Sequence, residues 1–92
     1  MENFYIDMGY IQASTYRCKV VRALDQDSIK TPTNISKATG IRVNHLSKTL
    51  SELKCRHIVE CLNENSRKGR LYKLTNKGRK ILDNMEDVID NA

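Results

Sequence analysis

Four segments of the chain carry apolar residues at helical spacing. In the first, Val20, Val21 and Leu24 fall at i, i+1 and i+4, and Ser14 opens the segment as a plausible N-cap. The pattern predicts a helix over residues 14–24. Residues 1–13 are apolar but ambiguous between helix and strand, so we expect an arm or an extra helix that covers the core or a partner subunit.

The second periodic segment begins at Thr31-Pro32 and ends at Gly40. Threonine caps helices well, and proline suits the first helical position, where its missing N–H costs nothing. Gly40 tolerates the left-handed conformation that closes a helix. We therefore predict a short helix that carries Ile35 and Ala38 inward and ends in a tight turn.

Another helix is predicted after this turn, over residues 42–54, with Ile41 filling the corner between the two. At about 100° per residue, one of its faces is apolar and the opposite face is polar. The apolar face comprises Val43, Leu46, Leu50 and Leu53. Residues 31–54 therefore have the pattern of a helix-turn-helix.

Two β-like segments, residues 58–62 and 70–74, flank a polar, turn-rich stretch with basic residues at its tip. This pattern predicts a hairpin over residues 58–74. Thr75 then caps a last helix, residues 75–90, with an apolar stripe at i, i+3/i+4 and i+7. The predicted order is helix-helix-helix-strand-strand-helix. We predict a mostly helical α+β fold, a winged helix-turn-helix formed as a single domain by residues 1–92.

The composition is that of a small soluble domain. The 92 residues are 39% apolar and 29% charged, and no run approaches the ~18 apolar residues of a membrane span. The N-terminus lacks the basic-then-apolar pattern of a secretory signal. Three cysteines without CxxC spacing favour a reducing compartment over disulfides or a metal site. We expect a cytoplasmic protein without a metal or cofactor.

The net charge of +5 is unevenly distributed. Residues 1–29 carry −1, residues 30–80 carry +10 and residues 81–92 carry −4. A positive segment of that density attracts polyanions, of which nucleic acid is the commonest. A solvated, lysine-rich surface is the alternative explanation of the same charge.

Four motifs follow one another along the chain. They are Ser14-x-x-Arg17-x-x-Val20-Val21-x-x-Leu24, Thr31-Pro32-x-x-Ile35-Ser36-x-x-Thr39-Gly40, Val43-x-x-Leu46-x-x-x-Leu50-x-x-Leu53 before Ile58-Val59, and Gly69-Arg70-x-Tyr72-x-Leu74-Thr75-x-x-Gly78. In this order they resemble the first helix, the second helix and turn, the recognition helix, and the wing of small winged-helix transcription regulators. The chain looks most like short MarR-type and ArsR-type regulators, including compact archaeal versions. It departs from ArsR metal sensors in lacking their paired-Cys motif, and from MarR proteins in lacking long flanking helices. The resemblance therefore implies no particular effector.

On this scaffold the second helix of the helix-turn-helix enters the major groove, where its N-terminal half reaches base edges. Asn44 is suited to a two-bond contact with adenine, and Lys48 to guanine or a phosphate. The start of the preceding helix can anchor a phosphate, and the wing tip can reach the backbone or minor groove. The candidate DNA-binding residues are Thr31, Thr33, Lys37, Arg42, Asn44, His45, Lys48, Ser51, Arg67, Lys68 and Arg70. For each of them, a solvated surface residue is the alternative.

The last helix is acidic, so DNA would repel it and it should face away from the duplex. Its apolar stripe is longer than one small core needs, which indicates an interface. We expect a homodimer formed through this stripe with help from residues 1–13, and packing into the chain's own core is the alternative. The predicted interface residues are Ile81, Leu82, Met85, Val88 and Ile89.

Other functions are less favoured by the sequence. It contains no Gly-rich phosphate loop, Ser-x-x-Lys, HExxH or paired-carboxylate motif, so we do not expect an enzyme. A winged helix that contacts protein or RNA is one alternative. With five aromatic residues, and Tyr72 alone in the basic region, base stacking on single strands is poorly supported. A thiol redox switch at Cys55, which has basic neighbours, is another alternative.

Overall fold

The computed structural model describes residues 4–89, with side chains described for residues 4–85. Within these residues the elements follow in chain order as α1 (Phe4–Gln12), α2 (Thr15–Ala23), α3 (Pro32–Thr39), α4 (Val43–Cys55), β1 (Val59–Cys61), β2 (Tyr72–Leu74) and α5 (Asn76–Ile89). This order confirms the predicted fold class. The ambiguous N-terminal segment forms the additional helix α1. No helix in the described part of the chain is long and apolar enough to cross a membrane.

Helices α1 and α2 pack against each other and against α5. The Ser14 hydroxyl accepts a hydrogen bond from the backbone N–H of Arg17 at 3.3 Å, which confirms Ser14 as the N-cap of α2. Val20, Val21 and Leu24 are fully buried, as their spacing predicts. From α1, Ile11 is also fully buried, so this helix covers the core of its own chain.

The cap and turn of α3 are as predicted. The Thr31 hydroxyl accepts from the backbone N–H of Asn34 at 3.2 Å, and Gly40 adopts a φ of 79°. The prediction for Ala38 is wrong, because Ala38 is exposed while Ile35 is fully buried. Its neighbour Thr39 is half-buried instead. The Thr39 hydroxyl accepts a hydrogen bond from the backbone N–H of Ile41, in the turn between α3 and α4, at 3.2 Å.

Helix α4 is rotated slightly from the predicted orientation. Leu46, Leu50 and Leu53 are buried, but Val43 is 46% exposed, so its assignment to the apolar face is wrong. Thr49 takes the inward position, with its hydroxyl donating to the carbonyl oxygen of His45 at 3.2 Å. Because that bond satisfies the hydroxyl within the helix, a threonine can face the core.

The two strands of the wing pair antiparallel, with Val59 opposite Leu74 and Cys61 opposite Tyr72. Both are shorter than the predicted strands. Lys30 adds an isolated bridge, because it exchanges backbone hydrogen bonds of 3.0 and 2.9 Å with Tyr72. The sequence pattern of a polar loop before α3 did not predict this bridge. It fixes the start of the helix-turn-helix against the return strand of the wing.

Helix α5 begins at the predicted cap, because the Thr75 hydroxyl accepts from the backbone N–H of Gly78 at 3.0 Å. Ile81, Leu82 and Met85 are 0%, 2% and 0% exposed within the single chain. These three predicted interface residues therefore belong to the chain's own core and present no apolar surface to a partner. The side chains of Val88 and Ile89 lie outside the described residues.

Candidate nucleic-acid interface

The outer face of α4 is polar and exposed. Asn44, Lys48 and Ser51 are all exposed, and at about 100° per residue they lie opposite Leu46 and Leu53 on the helix. The buried leucines hold the helix against the core, so this face is fixed outward. The structure therefore brings these three predicted residues together on one surface.

One flank of α4 contacts α2 and is less available than the sequence predicts. The ring of His45 lies 5.9 Å from the ring of Tyr16, centroid to centroid. Two turns further along α4, Glu52 forms an ion pair of 3.7 Å with Arg17. His45 thus lies at the edge of the exposed face, beside α2, rather than at its centre.

The other flank of α4 borders an open groove with a volume of about 700 Å³, between this helix, the start of α3 and the wing. Six of the predicted DNA-binding residues line it. They are Thr31, Thr33, Ser51, Arg67, Lys68 and Arg70. Val43, Ser47 and Lys54 also line this groove, although they are not among the predicted DNA-binding residues. Their spacing of i, i+4 and i+11 places them on one side of the helix. This side was not predicted to be exposed, because the apolar pattern assigned Val43 to the buried face.

The wing tip is shaped by hydrogen bonds from two of its own residues. The side-chain oxygen of Asn63 accepts from the backbone N–H of Leu71 at 2.7 Å, and its amide donates to the carbonyl of Gly69 at 3.1 Å. The Nε of Arg70 donates to the carbonyl of Ser66 at 2.8 Å. Arg70 is therefore partly engaged in holding the loop, whereas the neighbouring Arg67 and Lys68 are exposed.

An ion pair joins α4 to the wing across this groove. The ammonium of Lys54 lies 2.8 Å from the carboxylate of Glu64. The hydrogen bond between them raises the pKa of Lys54 and lowers the pKa of Glu64. Both groups stay charged at neutral pH, so Lys54 contributes less net positive potential to the groove than its neighbours in the wing.

The cations of residues 30–80 fall into two groups: some form ion pairs with carboxylates of the same chain, and others have no carboxylate nearby among residues 4–85. Arg56 and Lys77 both bind the buried carboxylate of Asp7, and Arg79 pairs with Asp27. By contrast, no carboxylate among residues 4–85 lies within 4 Å of five of the predicted DNA-binding residues. These are Lys37, Arg42, Lys48, Arg67 and Lys68.

The cysteines lie apart from this surface or at its end. Burial raises the pKa of the Cys18 thiol, whose sulfur lies 3.3 Å from the carbonyl oxygen of Ile11. Cys55 is exposed at the end of α4, but its neighbours Lys54 and Arg56 are directed to Glu64 and Asp7. Two of the three basic neighbours of Cys55 thus form ion pairs elsewhere, and the third is His57. The described residues contain no group of three metal-ligating side chains.

Comparison with known proteins agrees with this architecture. A family model described as winged helix-turn-helix matches residues 20–92. BpsR of Bordetella bronchiseptica, whose DNA binding is regulated by 6-hydroxynicotinic acid, superposes with a TM-score of 0.79 at 19% identity over 98% of this chain and 75% of its own. The apo form of wild-type MarR from E. coli gives 0.72 at 27% identity, over 83% of this chain and 57% of its own.

A MarR variant complexed with operator DNA superposes with a TM-score of 0.73 at 24% identity, over 89% of this chain and 59% of its own. The chain thus spans little more than half the length of these MarR structures. No curated protein matches its sequence. The similarity to MarR-type regulators inferred from four motifs is confirmed. Since the family model covers most of the sequence, the chain belongs to the winged helix-turn-helix family.

Proposed function

We propose that this protein is a sequence-specific transcriptional regulator that binds double-stranded DNA in the cytoplasm and has no enzymatic activity. The observation that carries the proposal is the common surface formed by the outer face of α4, the start of α3 and the wing tip. Five exposed cations of the helix-turn-helix and the wing have no carboxylate partner among residues 4–85. Such a surface attracts the phosphates of a duplex.

Each part of the surface has a distinct role in this proposal. Helix α4 lies in the major groove, where Asn44 contacts the edge of an adenine and Lys48 a guanine or phosphate. The first turn of α3, with the Thr31 and Thr33 hydroxyls, holds a phosphate, because the backbone N–H of Thr33 and the helix dipole favour an anion there. Lys37 and Arg42 add phosphate contacts.

The wing supplies contacts that do not depend on sequence. Arg67 and Lys68 extend from a loop that Asn63 and Arg70 hold in place. They reach the sugar-phosphate backbone or the adjoining minor groove, which positions the protein without reading bases.

We also propose that the protein acts as a homodimer. The support is the exposed apolar surface of α1, where Tyr5 and Ile6 are 75% and 63% exposed, next to α5. Because Ile81, Leu82 and Met85 are buried in the core, they are not part of the proposed dimer contact. We place that contact on α1 and on the end of α5, which contains Val88 and Ile89. Sedimentation that gives a monomer at tens of micromolar protein would count against it.

Contact with protein or RNA is the second candidate function for the same fold. The groove contains Tyr72, but that ring is only 8% exposed. It is therefore unsuited to stacking on an unpaired base. The five cations without a carboxylate partner among residues 4–85 favour a duplex over an uncharged protein partner.

Selection from a randomised pool of DNA duplexes at moderate salt tests the proposal. Enrichment of an inverted repeat, with half-sites about one helical turn apart, is expected for a dimeric regulator. Binding without enrichment would indicate a role that depends on the backbone alone. Absence of binding at low salt would refute DNA binding and favour the protein-contact alternative.

Replacing Arg67 and Lys68 together with alanine is expected to weaken binding to all duplexes by a similar factor. The slope of log affinity against log salt should fall by about 1.8, because two phosphate contacts are lost. The charge-matched control is Lys19→Ala with Lys80→Ala, two exposed residues that do not line the groove. Equal losses in the two double variants would mean that net charge alone governs binding.

Asn44→Ala is expected to behave differently from the wing variants. It should leave the salt slope unchanged and relax the preference at one base pair of the selected site by about 1–3 kcal/mol. Binding curves on single-base variants of that site measure this preference. An unchanged preference at every position would show that Asn44 does not contact a base.

A further inference from the structure

Val43 is an exposed apolar side chain in a polar setting. It is the first residue of α4 and is 46% exposed, while the other exposed residues of the first two turns are polar. Those residues are Asn44, His45, Ser47 and Lys48. The core does not need Val43, because Leu46, Thr49 and Leu50 already occupy the inward positions of those turns.

The position of Val43 limits what it can contact. It lines the groove between α4, α3 and the wing, together with Pro32, Ser47 and Lys68. The N-terminal end of a recognition helix is the part that comes closest to base edges in the major groove. A valine has no hydrogen-bonding group, so it cannot read the donor and acceptor pattern of those edges. It can read the apolar group that thymine displays there, the C5-methyl.

We propose that Val43 is a specificity-determining residue that recognises a thymine in each half-site by contact with its C5-methyl group. This inference rests on the proposed function, since it assigns a base preference to the same DNA-binding surface. Contact removes apolar surface of both partners from water, which supplies binding energy that cytosine, lacking the methyl, does not give.

The test uses the full chain and the duplex enriched from the randomised pool. Each thymine of one half-site is replaced in turn by deoxyuridine, and the same change is made in the other half-site. The replacement removes only the methyl group and leaves base pairing intact. For the natural protein, one replacement per half-site is expected to lower affinity about four- to fifteenfold, which corresponds to the loss of one or two buried methyl groups.

Val43→Ala should bind the thymine duplex more weakly and should lose the sensitivity to deoxyuridine at that one position. Val43→Thr, which keeps one methyl at nearly the same volume, should retain part of it. Ile29→Ala is the matched control, because Ile29 is 50% exposed but does not line the groove. That variant should keep the full sensitivity. Thermal unfolding by circular dichroism checks that each variant is folded.

Two results would overturn the inference. The first is equal affinity for every deoxyuridine duplex, and the second is the same sensitivity in Val43→Ala as in the natural protein. In both results sequence-specific DNA binding persists and only the role of Val43 is lost. Failure of the proposed function itself is distinguishable, because the natural protein would then enrich no site from the pool or would bind no duplex at low salt.

Discussion

Replacing Gly78 with alanine is expected to destabilise the fold by about 3 kcal/mol, at the upper end of the usual cost of overpacking. A Cβ at this position would lie 2.3 Å from the carbonyl oxygen of Ile58. That oxygen belongs to backbone, and it accepts the backbone N–H of Thr75 at 3.0 Å. Neither α5 nor the base of the wing can move away without breaking this bond. Urea unfolding followed by circular dichroism measures the loss.

Gly9 offers a matched control in another helix. It lies within α1, and a Cβ there would meet no atom within 4 Å. Gly9→Ala should therefore stabilise the protein by about 0.5–1 kcal/mol, because alanine loses less backbone freedom in a helix than glycine does. If both substitutions stabilised the protein, the close approach of Gly78 to Ile58 would be absent in solution.

The helix ends could be predicted from the sequence because their causes are local. Ser14, Thr31 and Thr75 each accept a backbone N–H three residues ahead. Gly40 has the positive φ that its position after α3 requires. A cap depends on three or four consecutive residues, so a short stretch of sequence contains all the information it needs.

The rotation of the helices could not be predicted with the same precision. Apolar patterns favoured Val43 and Ala38 as inward residues, yet both are exposed. Thr49 is 6% exposed because its hydroxyl is satisfied within α4, and Thr39 bonds the backbone at the corner. A pattern that counts threonine as polar misses such internally bonded hydroxyls. The error mattered for the site, because it concealed the groove-lining side of α4.

The sequence also could not predict which cations form ion pairs within the chain and which are exposed without a carboxylate partner in the described part of the chain. Arg56 and Lys77 contribute to the +10 of residues 30–80, which indicated a polyanion partner. Both are instead directed to Asp7, 49 and 70 positions earlier in the chain. No local pattern pairs residues at such separations. The total charge correctly indicated a basic surface, but it did not indicate which cations face outward.

Asp7→Asn is expected to destabilise the protein by about 2 kcal/mol at neutral pH. Asp7 is 3% exposed, with Arg56 at 3.0 Å and Lys77 at 2.5 Å from its carboxylate oxygens. Removing one partner of a buried ion pair costs about 3–5 kcal/mol. The value is reduced here because the two cations are about one-third exposed and can recover part of their hydration. Urea unfolding at pH 7 measures the difference.

Asp27→Asn is the control for this substitution. Asp27 also pairs with an arginine, Arg79, but its side chain is 56% exposed. An exposed pair of this kind contributes about 0–1 kcal/mol, so the control should lie close to the natural protein. A loss for Asp7→Asn no larger than that of the control would mean that α1 is not held by Asp7.

The pH dependence provides an independent check on Asp7. Burial alone would raise the pKa of this carboxyl, but hydrogen bonds from Lys77 and Arg56, together with their charges, lower it below its usual value. A lowered folded-state pKa means that the unfolded chain binds the proton more readily. The stabilisation is therefore complete above the unfolded pKa of about 4 and is lost as the pH falls through the lower folded pKa. The difference between the natural protein and Asp7→Asn should stay constant from pH 7 to pH 5 and shrink below about pH 4. A difference that grew on acidification would contradict the lowered pKa and the ion pairs that cause it.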